Sequence, residues 1–411
     1  MKAKSVQAAL LLVLAGCGAA PSNSALAPGG RPFTVAEVTT FEAPWALSFL
    51  PGSGLPLTNM ALVTEKGGKL WLVDASNGTK REVAGAPIVV AEGQGGLLDV
   101  VASPSFAGDG MVYLTFSEPS QLGGSQLALA RAKLSDLATS PRLTGLQVIW
   151  RNPTGGTGGH FGARIAFAPD SQSLFLSAGD RQRFTPAQDA NLPMGKVLHL
   201  RLDGKPAADN PGSGRTGTAS VKVTDPPKDS EVAKTAASRT VGWPGANLTP
   251  AETWTLGHRN PLGLAFAPDG RLWEVEMGPK GGDELNLITK GRNYGYPRVS
   301  NGENYNDVPI PDHRSGDGFE APKLDWTPVI SPGGMIIYSG NLFPQWKGDA
   351  LIAALSGKAL VRVDIDGDKA RKADQWDMGN RIRAVDEGPG GQVYLLEDGP
   401  GGRLLRLTPA K

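Results

Sequence analysis

The sequence is poor in cysteine, in histidine and in net charge: across 411 residues it has one cysteine, four histidines and a formal charge of +1. With Cys17 as the only cysteine, no internal disulfide can form, so packing and sheet closure must stabilise the fold. A balanced, mixed charge does not favour nucleic acid or another polyanion as a partner. Any electrostatic specificity must therefore come from a local cluster of charges.

Sustained helical periodicity is also nearly absent, whereas turn-forming residues are abundant. The chain has 55 glycines and 33 prolines, and 40% of its residues are hydrophobic, which is enough for a sizeable core. This composition is typical of many short strands joined by tight turns. The chain length allows one large domain or two ordinary ones.

The N-terminus has the features of an export signal. Lys2 and Lys4 precede an apolar run, residues 8–14, that is too short to span a bilayer as a stable helix. Leu-Ala-Gly-Cys at 14–17 looks like a bacterial lipobox, although a chance core cysteine is the alternative. We therefore predict a lipoprotein signal peptide at 1–17, acylation of Cys17, and a tether at 18–32. The protein would be an exported periplasmic or cell-surface lipoprotein that contacts membrane only through its lipid anchor.

A weak repeat of two strands joined by a turn runs along the chain. The copies include RIAFAPDSQSLFLSAGD, GLAFAPDGRLWEVEMGP and RAVDEGPGGQVYLLEDG. The six units lie at residues 46–52 with 60–73, 99–118, 164–180, 263–279, 334–355 and 383–399. The Pro-Asp-Gly segments supply the fixed and positive φ angles that hairpins need. Six such units favour an all-β fold, a six-bladed β-propeller with four-stranded antiparallel blades, over a β-sandwich.

The propeller domain is predicted to span residues 33–411. Within it, residues 203–248 are rich in Lys, Pro, Ser, Thr and Gly, which is typical of a long surface insertion rather than a separate domain. No role is assigned to this insertion from the sequence.

Four cations occur where strands are predicted to begin or end: Arg259 in GHRNP, Lys358 in LSGKAL, and Arg381 and Arg383 in NRIR. Arg381 and Arg383 are two residues apart, so in a strand their side chains point to the same side. Because two adjacent guanidiniums repel, a carboxylated ligand between them is the natural partner. A solvated edge strand with scattered ion pairs is the alternative.

His160 ends the glycine-rich stretch GGTGGH just before a predicted strand. Such a stretch lets a ligand or a second backbone approach closely, and the imidazole could project into the axial funnel. A structural histidine is the alternative reading. His199, His258 and His313 are interpreted as structural, and His258 is expected to point away from Arg259.

The motifs GQGGLLDV, GGHFGARIAF, WTLGHRNPLGLAF, MGPKGGDELN, GRNYGYP, LSGKALVRV and GNRIRAV occur in order between about residues 93 and 385. In this set the chain closely resembles the soluble aldose sugar dehydrogenases that depend on pyrroloquinoline quinone (PQQ), the glucose/sorbosone dehydrogenase family. The resemblance implies an enzyme with PQQ and Ca²⁺ as cofactors. PQQ carries three carboxylates and an ortho-quinone, which agrees with the cluster of cations.

Transferred by motif position, the resemblance implies roles for individual residues. The quinone would be contacted by Arg259 and Asn260, and the carboxylates would be held by Lys358, Arg381 and Arg383. The carbonyl groups of Gly278 and Pro279 would bind the Ca²⁺ that also bridges PQQ, since calcium accepts neutral oxygens in loose geometry. Glu284 and the Tyr294 carbonyl resemble a second, structural calcium site, although Glu284 could instead be a surface carboxylate.

The implied reaction is hydride transfer from the C1 position of a pyranose to PQQ, giving an aldonolactone. His160 would act as the general base, because a neutral imidazole suits proton transfer near neutral pH, and Arg259 with Ca²⁺ would polarise the quinone. Gln94 and Trp326 would face the sugar, with core packing as the alternative for Trp326. The electron acceptor would be a cytochrome or a quinone of unspecified identity.

The sequence departs from the glucose-selective branch at two positions. Gly159 stands where that branch has an acidic residue before the base, and Arg181 stands where it has glutamine. Both differences favour a broader range of aldoses, mono- and possibly disaccharides. Two other functions stay open: a Ca²⁺-dependent lactonase or hydrolase, and a non-catalytic binding propeller.

Overall fold

The computed structural model describes residues 30–52 and 57–410. The predicted signal peptide, the lipidation site Cys17 and all but the end of the predicted tether lie outside the described residues, so these remain predictions. Among the described residues, no helix has the length and apolar character needed to cross a membrane.

Strands dominate the described part of the chain. In order they are β1 (Phe33–Glu42), β2 (Pro44–Phe49), β3 (Met60–Glu65), β4 (Leu70–Asp74), β5 (Lys80–Glu82), β6 (Leu97–Ala102), β7 (Met111–Pro119), β8 (Ser125–Ser135), β9 (Arg142–Arg151), β10 (Gly162–Phe167), β11 (Ser173–Ala178), β12 (Lys196–Arg201), β13 (Ser220–Thr224), β14 (Ser238–Gly242), β15 (Thr253–Leu256), β16 (Pro261–Phe266), β17 (Leu272–Glu276), β18 (Asp283–Ile288), β19 (Leu324–Trp326), β20 (Pro332–Ile337), β21 (Ala350–Ala354), β22 (Ala359–Asp366), β23 (Lys369–Asp377), β24 (Ile382–Glu387), β25 (Val393–Glu397) and β26 (Pro400–Pro409). The helices are short: α1 (Phe106–Asp109), α2 (Ser230–Thr235) and α3 (Thr249–Glu252), with 3₁₀ turns at Thr185–Gln188 and Pro344–Trp346.

The strands form six four-stranded antiparallel sheets, or blades. In chain order the blades are β2–β5, β6–β9, β10-β11-β12-β15, β16–β19, β20–β23 and β24-β25-β26-β1. The first strand of each blade contacts the first strand of the next, and β24 contacts β2, so the blades close into a ring. The predicted six-bladed propeller is confirmed.

The ring is closed by strands from both ends of the domain. β1 pairs antiparallel with β26 from Phe33 opposite Pro409 to Glu42 opposite Pro400. This pairing adds the N-terminal strand to the outside of the sixth blade. Backbone hydrogen bonds thereby perform the closure for which the chain has no disulfide.

Each of the six predicted units contains the inner hairpin of one blade, formed by its first and second strands, and the first unit also extends into β4. The turn between β16 and β17 shows the local reason. Gly270 has φ of +84°, which glycine adopts without strain, and its amide donates to the Ala267 carbonyl at 2.9 Å. The Pro-Asp-Gly segment therefore reverses the chain where the alternating pattern ends.

All six inner strands have a register irregularity close to their N-terminal ends. Such bulges bend a strand and re-aim its side chains. Trp45, Gly162, Leu262 and Arg383 lie in or beside these irregularities, and all four line the same axial cavity. The bulges therefore shape the end of the propeller where the candidate site lies.

Arg164 of β10 ties several blades together beneath that cavity. Its guanidinium donates to Asp99 of β6 at 3.0 Å, to the Leu262 carbonyl of β16 at 2.7 Å and to the Gly333 carbonyl of β20. It also lies 4.1 Å from the centre of the Trp45 ring in the first blade. One buried cation thus contacts four other blades at the axis.

The long connection between β12 and β15 is structured. The predicted insertion, 203–248, contains the antiparallel pair β13–β14 and helix α2. Val221, Val223 and Val241 pack with Leu192 and Met194 in a small apolar cluster of their own. The sequence analysis identified the insertion but not this hairpin, whose pairing depends on contacts outside the segment. The predicted domain boundaries remain a prediction.

Glu252 of α3 joins the second and third blades as a buried carboxyl. Its Oε2 accepts a hydrogen bond from Trp150 Nε1 of β9 at 3.0 Å, and burial raises the pKa of Glu252 to about 7 from a usual value of 4.5. A carboxyl whose pKa is raised on folding binds its proton more tightly in the folded state. Its contribution to stability is therefore complete below about pH 4.5 and is lost as the pH rises through about 7.

We expect the free energy of unfolding to contain a term of about 3 kcal/mol that disappears between pH 4.5 and 7 because of Glu252. Glu252→Gln keeps an acceptor for Trp150 but removes the titration. Urea denaturation of both proteins at several pH values measures the difference, which should grow in favour of Gln as the pH rises. A constant difference between pH 4.5 and 7 would contradict this.

Candidate active site

A cavity of about 480 Å³ lies at the end of the propeller axis where the inner strands begin. It is bounded by the starts of the inner strands and by residues that directly follow second strands. Lys66 follows β3, Met277 follows β17, Leu355 follows β21 and Asp398 follows β25. The residue that directly follows the second strand therefore lines the cavity in the first, fourth, fifth and sixth blades.

The cavity has an excess of positive charge. Lys66, Arg381 and Arg383 line it, and Asp398 is the carboxylate that lies between the two arginines. Arg381 Nε donates to Asp398 Oδ2 and Arg383 Nε to Asp398 Oδ1, each at 2.9 Å. Burial, and then the charge of Arg383, lowers the pKa of Lys66. Because three cations face one carboxylate, this wall of the cavity has a net positive charge that can bind an anionic ligand.

Lys66 was not identified from the sequence. The sequence nevertheless contains an indication of Lys66, because this residue directly follows the second strand of its repeat, as Asp398 does in the sixth repeat. Lys358 was predicted to join Arg381 and Arg383, but it lies exposed in the turn between β21 and β22 and is not among the residues that line the cavity. The structure thus brings Lys66 together with Arg381 and Arg383 in the wall of the cavity.

His160 is buried beside the cavity. Its Nδ1 lies 2.7 Å from Asp180 Oδ1, and its Nε2 makes no hydrogen bond to any described residue. Burial, followed by the charge of Arg259, lowers the pKa of His160, while Asp180 acts in the opposite direction. The imidazole is therefore neutral at pH 7, with Nδ1–H donated to Asp180 and Nε2 available as a base.

Asp180 is the main site residue that the sequence analysis missed. It is fully buried, and its pKa is lowered because His160 and Arg259 outweigh the opposing effect of burial. It also accepts hydrogen bonds from the amides of Gln182 and Phe184. An aspartate held in this way fixes the tautomer and orientation of the histidine. Its position just beyond the end of β11, in SAGD, is the indication that could have found it.

The backbone around His160 is held in an uncommon conformation. His160, Arg181 and Gln182 have φ angles of +49°, +56° and +58°, in the left-handed region that glycine favours. Gln94 Oε1 accepts from the His160 amide at 2.6 Å, and Gln182 Oε1 accepts from the Gly159 amide at 2.7 Å. Left-handed non-glycine residues clustered in this way are typical of functional sites. Gln94 also lines the cavity.

Arg259 and Asn260 enter the site from the segment before β16. Both are buried, and Glu276 accepts hydrogen bonds from both of their backbone amides. Asn260 lines the cavity, and its Oδ1 accepts from the Gly162 amide. Arg259 Nη1 donates to the Met277 carbonyl at 2.9 Å, while its buried Nε has no partner among the described residues. That unpaired N–H is suited to an acceptor on a bound molecule.

Gly278, a predicted calcium ligand, accepts a hydrogen bond from Arg259. Its carbonyl receives Arg259 Nη1 at 2.5 Å, and Pro279 follows it, also buried. The carbonyl groups at this point therefore already face a cation, which agrees with the oxygen donors that Ca²⁺ accepts. A calcium ion bound to the Gly278 oxygen would share that oxygen with Arg259 or displace it.

Glu284 is buried within the fourth blade, so the surface alternative for it is wrong. Asn286 Nδ2 lies within 3.3 Å of the carboxylates of Glu274, Glu276 and Glu284, and burial raises the pKa of Glu274 and Glu284. Glu274 Oε1 and Asn286 Oδ1 lack partners among the described side chains. Buried carboxylates with unpaired oxygens are a donor set that suits a cation.

Tyr294 and His258 pack against each other near this cluster, with ring centres 4.6 Å apart. His258 is fully buried and contacts Glu276 and Thr255 rather than the cavity. Its position agrees with the structural interpretation of this histidine. The Tyr294 hydroxyl donates to the Leu287 carbonyl at 2.6 Å, so the ring is fixed in the blade.

Trp326 lies in the hydrophobic core between the fourth and fifth blades and is 4% exposed. The structure therefore supports the core-packing alternative over a sugar contact. Tyr305 is the aromatic residue exposed near Arg259: it is 71% exposed, and its ring centre lies 5.7 Å from the Arg259 guanidinium. Tyr305 lies in a long loop without an apolar pattern, so the sequence offered no indication of it.

The chain matches known proteins along almost its whole length. Residues 41–222 and 241–406 match the family model described as Glucose / Sorbosone dehydrogenase. The chain is 34% identical over 374 residues to the aldose sugar dehydrogenase YliI of Escherichia coli strain K12, and the alignment covers 90% of each protein.

The chain is also similar to solved structures, including two aldose sugar dehydrogenases. The soluble aldose sugar dehydrogenase of Escherichia coli in its apo form gives a TM-score of 0.77 at 33% identity, covering 92% of this chain and 100% of that one. The PQQ-bound aldose sugar dehydrogenase of Streptomyces coelicolor gives 0.69 at 27% identity, covering 93% and 99%.

Proposed function

Because the chain belongs to the glucose/sorbosone dehydrogenase family and is an oxidoreductase, we propose that it oxidises the C1 hydroxyl of aldose sugars to lactones with PQQ and Ca²⁺. The observation that carries this proposal is the cationic cavity next to a buried His160–Asp180 pair. A lactonase or a binding propeller would not require these two features side by side. The proposed active site therefore has a cationic wall that binds an anion and, beside it, a general base.

Residues of this chain fit PQQ on two grounds. Lys66, Arg381 and Arg383 offer cations to carboxylates, and the unpaired Nε of Arg259 offers a hydrogen bond to an oxygen. When bound, PQQ would supply the quinone that accepts two electrons from the sugar. Asn260 would contact its ring. Lys358, which is exposed and does not line the cavity, is retained as a proposed contact for a carboxylate on the motif resemblance alone.

His160 would remove the proton of the anomeric hydroxyl at Nε2. The interaction of Nδ1 with Asp180 keeps the ring oriented, and it stabilises the imidazolium that forms. Burial and the nearby Arg259 keep the resting imidazole neutral, so no proton has to be lost before reaction. Gln94, exposed at the cavity, would donate its amide N–H to the sugar.

Calcium is proposed at two places. The carbonyls of Gly278 and Pro279 would hold the ion beside the cofactor, with Arg259 sharing or releasing the Gly278 oxygen. Glu284 with the Tyr294 carbonyl would hold a structural ion, supported by the unpaired carboxylate oxygen close by. The first place offers neutral carbonyl oxygens, and the second offers a carboxylate and a carbonyl oxygen, all of which calcium accepts.

Tyr305 is proposed as the aromatic contact for the sugar, in place of Trp326. Its exposed ring beside Arg259 can stack on the apolar face of a pyranose. We expect Tyr305→Ala to raise the KM for glucose about fivefold, since one stacking contact contributes roughly 1 kcal/mol. Steady-state kinetics with Tyr305→Phe as the matched control measures this, and Phe should retain most of the affinity. An unchanged KM in the Ala variant would remove Tyr305 from the substrate site.

A broad preference for aldoses is proposed from Gly159, which leaves no acidic side chain next to the base. The location is also a proposal: an exported lipoprotein, anchored at Cys17, whose electron acceptor is a cytochrome or a quinone. Arg181 is buried beneath the histidine loop, so its effect on selectivity would be indirect.

Reconstitution is the experiment that tests the function. The purified protein is supplied with PQQ, with Ca²⁺, with both or with neither, and reduction of an artificial dye is followed with glucose, other aldoses and disaccharides. Dye reduction that needs both additions supports the proposal and ranks the substrates. No binding of PQQ and no dye reduction would contradict it and favour the lactonase or the binding propeller.

A further inference from the structure

The loop that leads to His160, residues 154–159, is held by three arginines through its carbonyl groups. The hydrogen bonds are Arg239 Nη2 to the Thr154 carbonyl at 2.7 Å, Arg183 Nη2 to Thr157 at 2.8 Å, and Arg181 Nη2 to Gly158 at 2.9 Å. Arg181 also donates to the carbonyls of Gly156 and Gly159. Almost every carbonyl group of the loop therefore accepts a hydrogen bond from an arginine side chain, which fixes the backbone.

Two glycines of this loop lie so close to Arg181 and Arg183 that a side chain there would collide with them. A Cβ atom at Gly156 would lie 2.7 Å from Arg183 Nη2, and a Cβ atom at Gly158 would lie 2.5 Å from the Arg181 carbonyl. Both glycines also have positive φ angles, +92° and +106°. Glycine at positions 156 and 158 is thus explained by close approach of the two arginines rather than by flexibility.

Two of these arginines connect the loop to the β13–β14 hairpin of the insertion. Arg239 belongs to β14, and Arg183 Nε donates to the Thr224 carbonyl at the end of β13 at 2.7 Å. A Cβ atom at Gly158 would lie 3.0 Å from Pro226 Cγ, and Pro226 belongs to the connection between β13 and β14. The family model leaves residues 223–240 unmatched. The part of the insertion that contacts the loop therefore lies in the segment that the family model does not describe.

The arrangement is electrostatically costly. Arg181 and Arg183 are almost completely buried, and neither forms a salt bridge with a described carboxylate. Burial lowers the pKa of Arg181 to about 9 and that of Arg183 to about 10. Backbone carbonyl groups accept the hydrogen bonds of both guanidiniums, and the Phe161 ring lies 3.9 Å from the Arg181 guanidinium, so the cations stabilise one particular shape of the loop. Arg181 also contributes to lowering the pKa of His160.

We propose that the β13–β14 hairpin is a functional part of the active site, in which Arg239 and Arg183 are positioning residues that fix the loop 154–159 and so hold the His160 imidazole against Asp180. The proposal rests on the proposed function for its effect on catalysis. The claim that the hairpin orders the loop 154–159 does not depend on the cofactor.

Arg239→Ala tests this in the full chain, because Arg239 is half-buried at the edge of a hairpin and its removal leaves the blades intact. We expect kcat for aldose oxidation to fall roughly tenfold, since a small misplacement of a catalytic group is costly, while the dissociation constant of PQQ stays unchanged. Arg239→Lys should restore part of kcat. Lys222→Ala, an exposed cation of β13 without a bond to the loop, is the matched control.

Hydrogen exchange of the Gly159 and His160 amides in the protein without PQQ gives a second readout. It should be about tenfold faster in Arg239→Ala than in the parent or in Lys222→Ala, because the loop opens more often. Normal exchange together with normal kcat in Arg239→Ala would overturn the proposal. A parent protein that reduces no dye would contradict the proposed function, and the exchange measurement would still decide whether the hairpin orders the loop.

Discussion

His160→Gln should lower kcat for aldose oxidation by about 10²- to 10⁴-fold while leaving PQQ affinity within a fewfold of the parent. The range is the usual contribution of a positioned general base. His160 makes its only side-chain hydrogen bond to Asp180, and its Nε2 faces no described partner, so the substitution removes the base without breaking the wall of cations. Stopped-flow dye reduction and PQQ titration by absorbance measure the two quantities.

His199→Gln is the matched control for this variant. His199 is also buried and hydrogen-bonded, to Ser173 and Asn210, but it belongs to β12 and packs against Phe175, outside the cavity lining. Its loss should affect stability and leave kcat close to that of the parent. Asp180→Asn should lower kcat as well, since an amide does not favour the required tautomer. Full activity in His160→Gln would eliminate His160 as the base.

The second large effect is expected for the double variant Arg381→Ala with Arg383→Ala, which should weaken PQQ binding by about 10²- to 10⁴-fold. Each charge-assisted hydrogen bond contributes roughly 1.5–3 kcal/mol, and each 1.4 kcal/mol is a factor of ten in affinity. Both guanidiniums line the cavity and converge on Asp398, and Lys66 is the other cation among the described lining residues. Equilibrium titration with PQQ in the presence of Ca²⁺ measures the loss.

The double variant also leaves Asp398 without its partners, and this carboxylate would itself repel an anion. A triple variant that adds Asp398→Asn separates the two effects, because it removes the repulsion and restores none of the arginine contacts. Arg142 and Arg371, exposed arginines paired to Asp136 and Asp364, provide a control double variant of equal charge. Tight PQQ binding in the triple variant would show that these arginines do not hold the carboxylates.

Arg259 would link the proposed cofactor site to the proposed calcium site, because it donates a hydrogen bond to the Gly278 carbonyl, a proposed Ca²⁺ ligand. Motif comparison assigned the two residues separate roles. Their contact arises only when the segment before β16 and the turn after β17 lie side by side in the fourth blade. Ca²⁺ binding and the position of Arg259 are therefore expected to depend on each other.

The prediction of Trp326 as a sugar contact failed for a physical reason. A tryptophan next to a turn is equally compatible with a core and with a cavity, because aromatic rings fill both environments. β19 is the outermost strand of its blade, and its side chains pack against the fifth blade. Only the placement of neighbouring blades decides this, and it places Tyr305 rather than Trp326 near Arg259.

The sequence by itself determined the number and kind of blades, since turn chemistry and strand alternation are local properties that repeat six times. It also indicated His160, Arg259, Arg381 and Arg383 as candidate site residues, because their motifs combine unusual residues in short segments. Tertiary structure alone decided the partners. Asp180 supports His160, Lys66 joins the two arginines from another blade, and Arg239 reaches the histidine loop from an insertion, because contacts between distant segments exist only after the ring has closed.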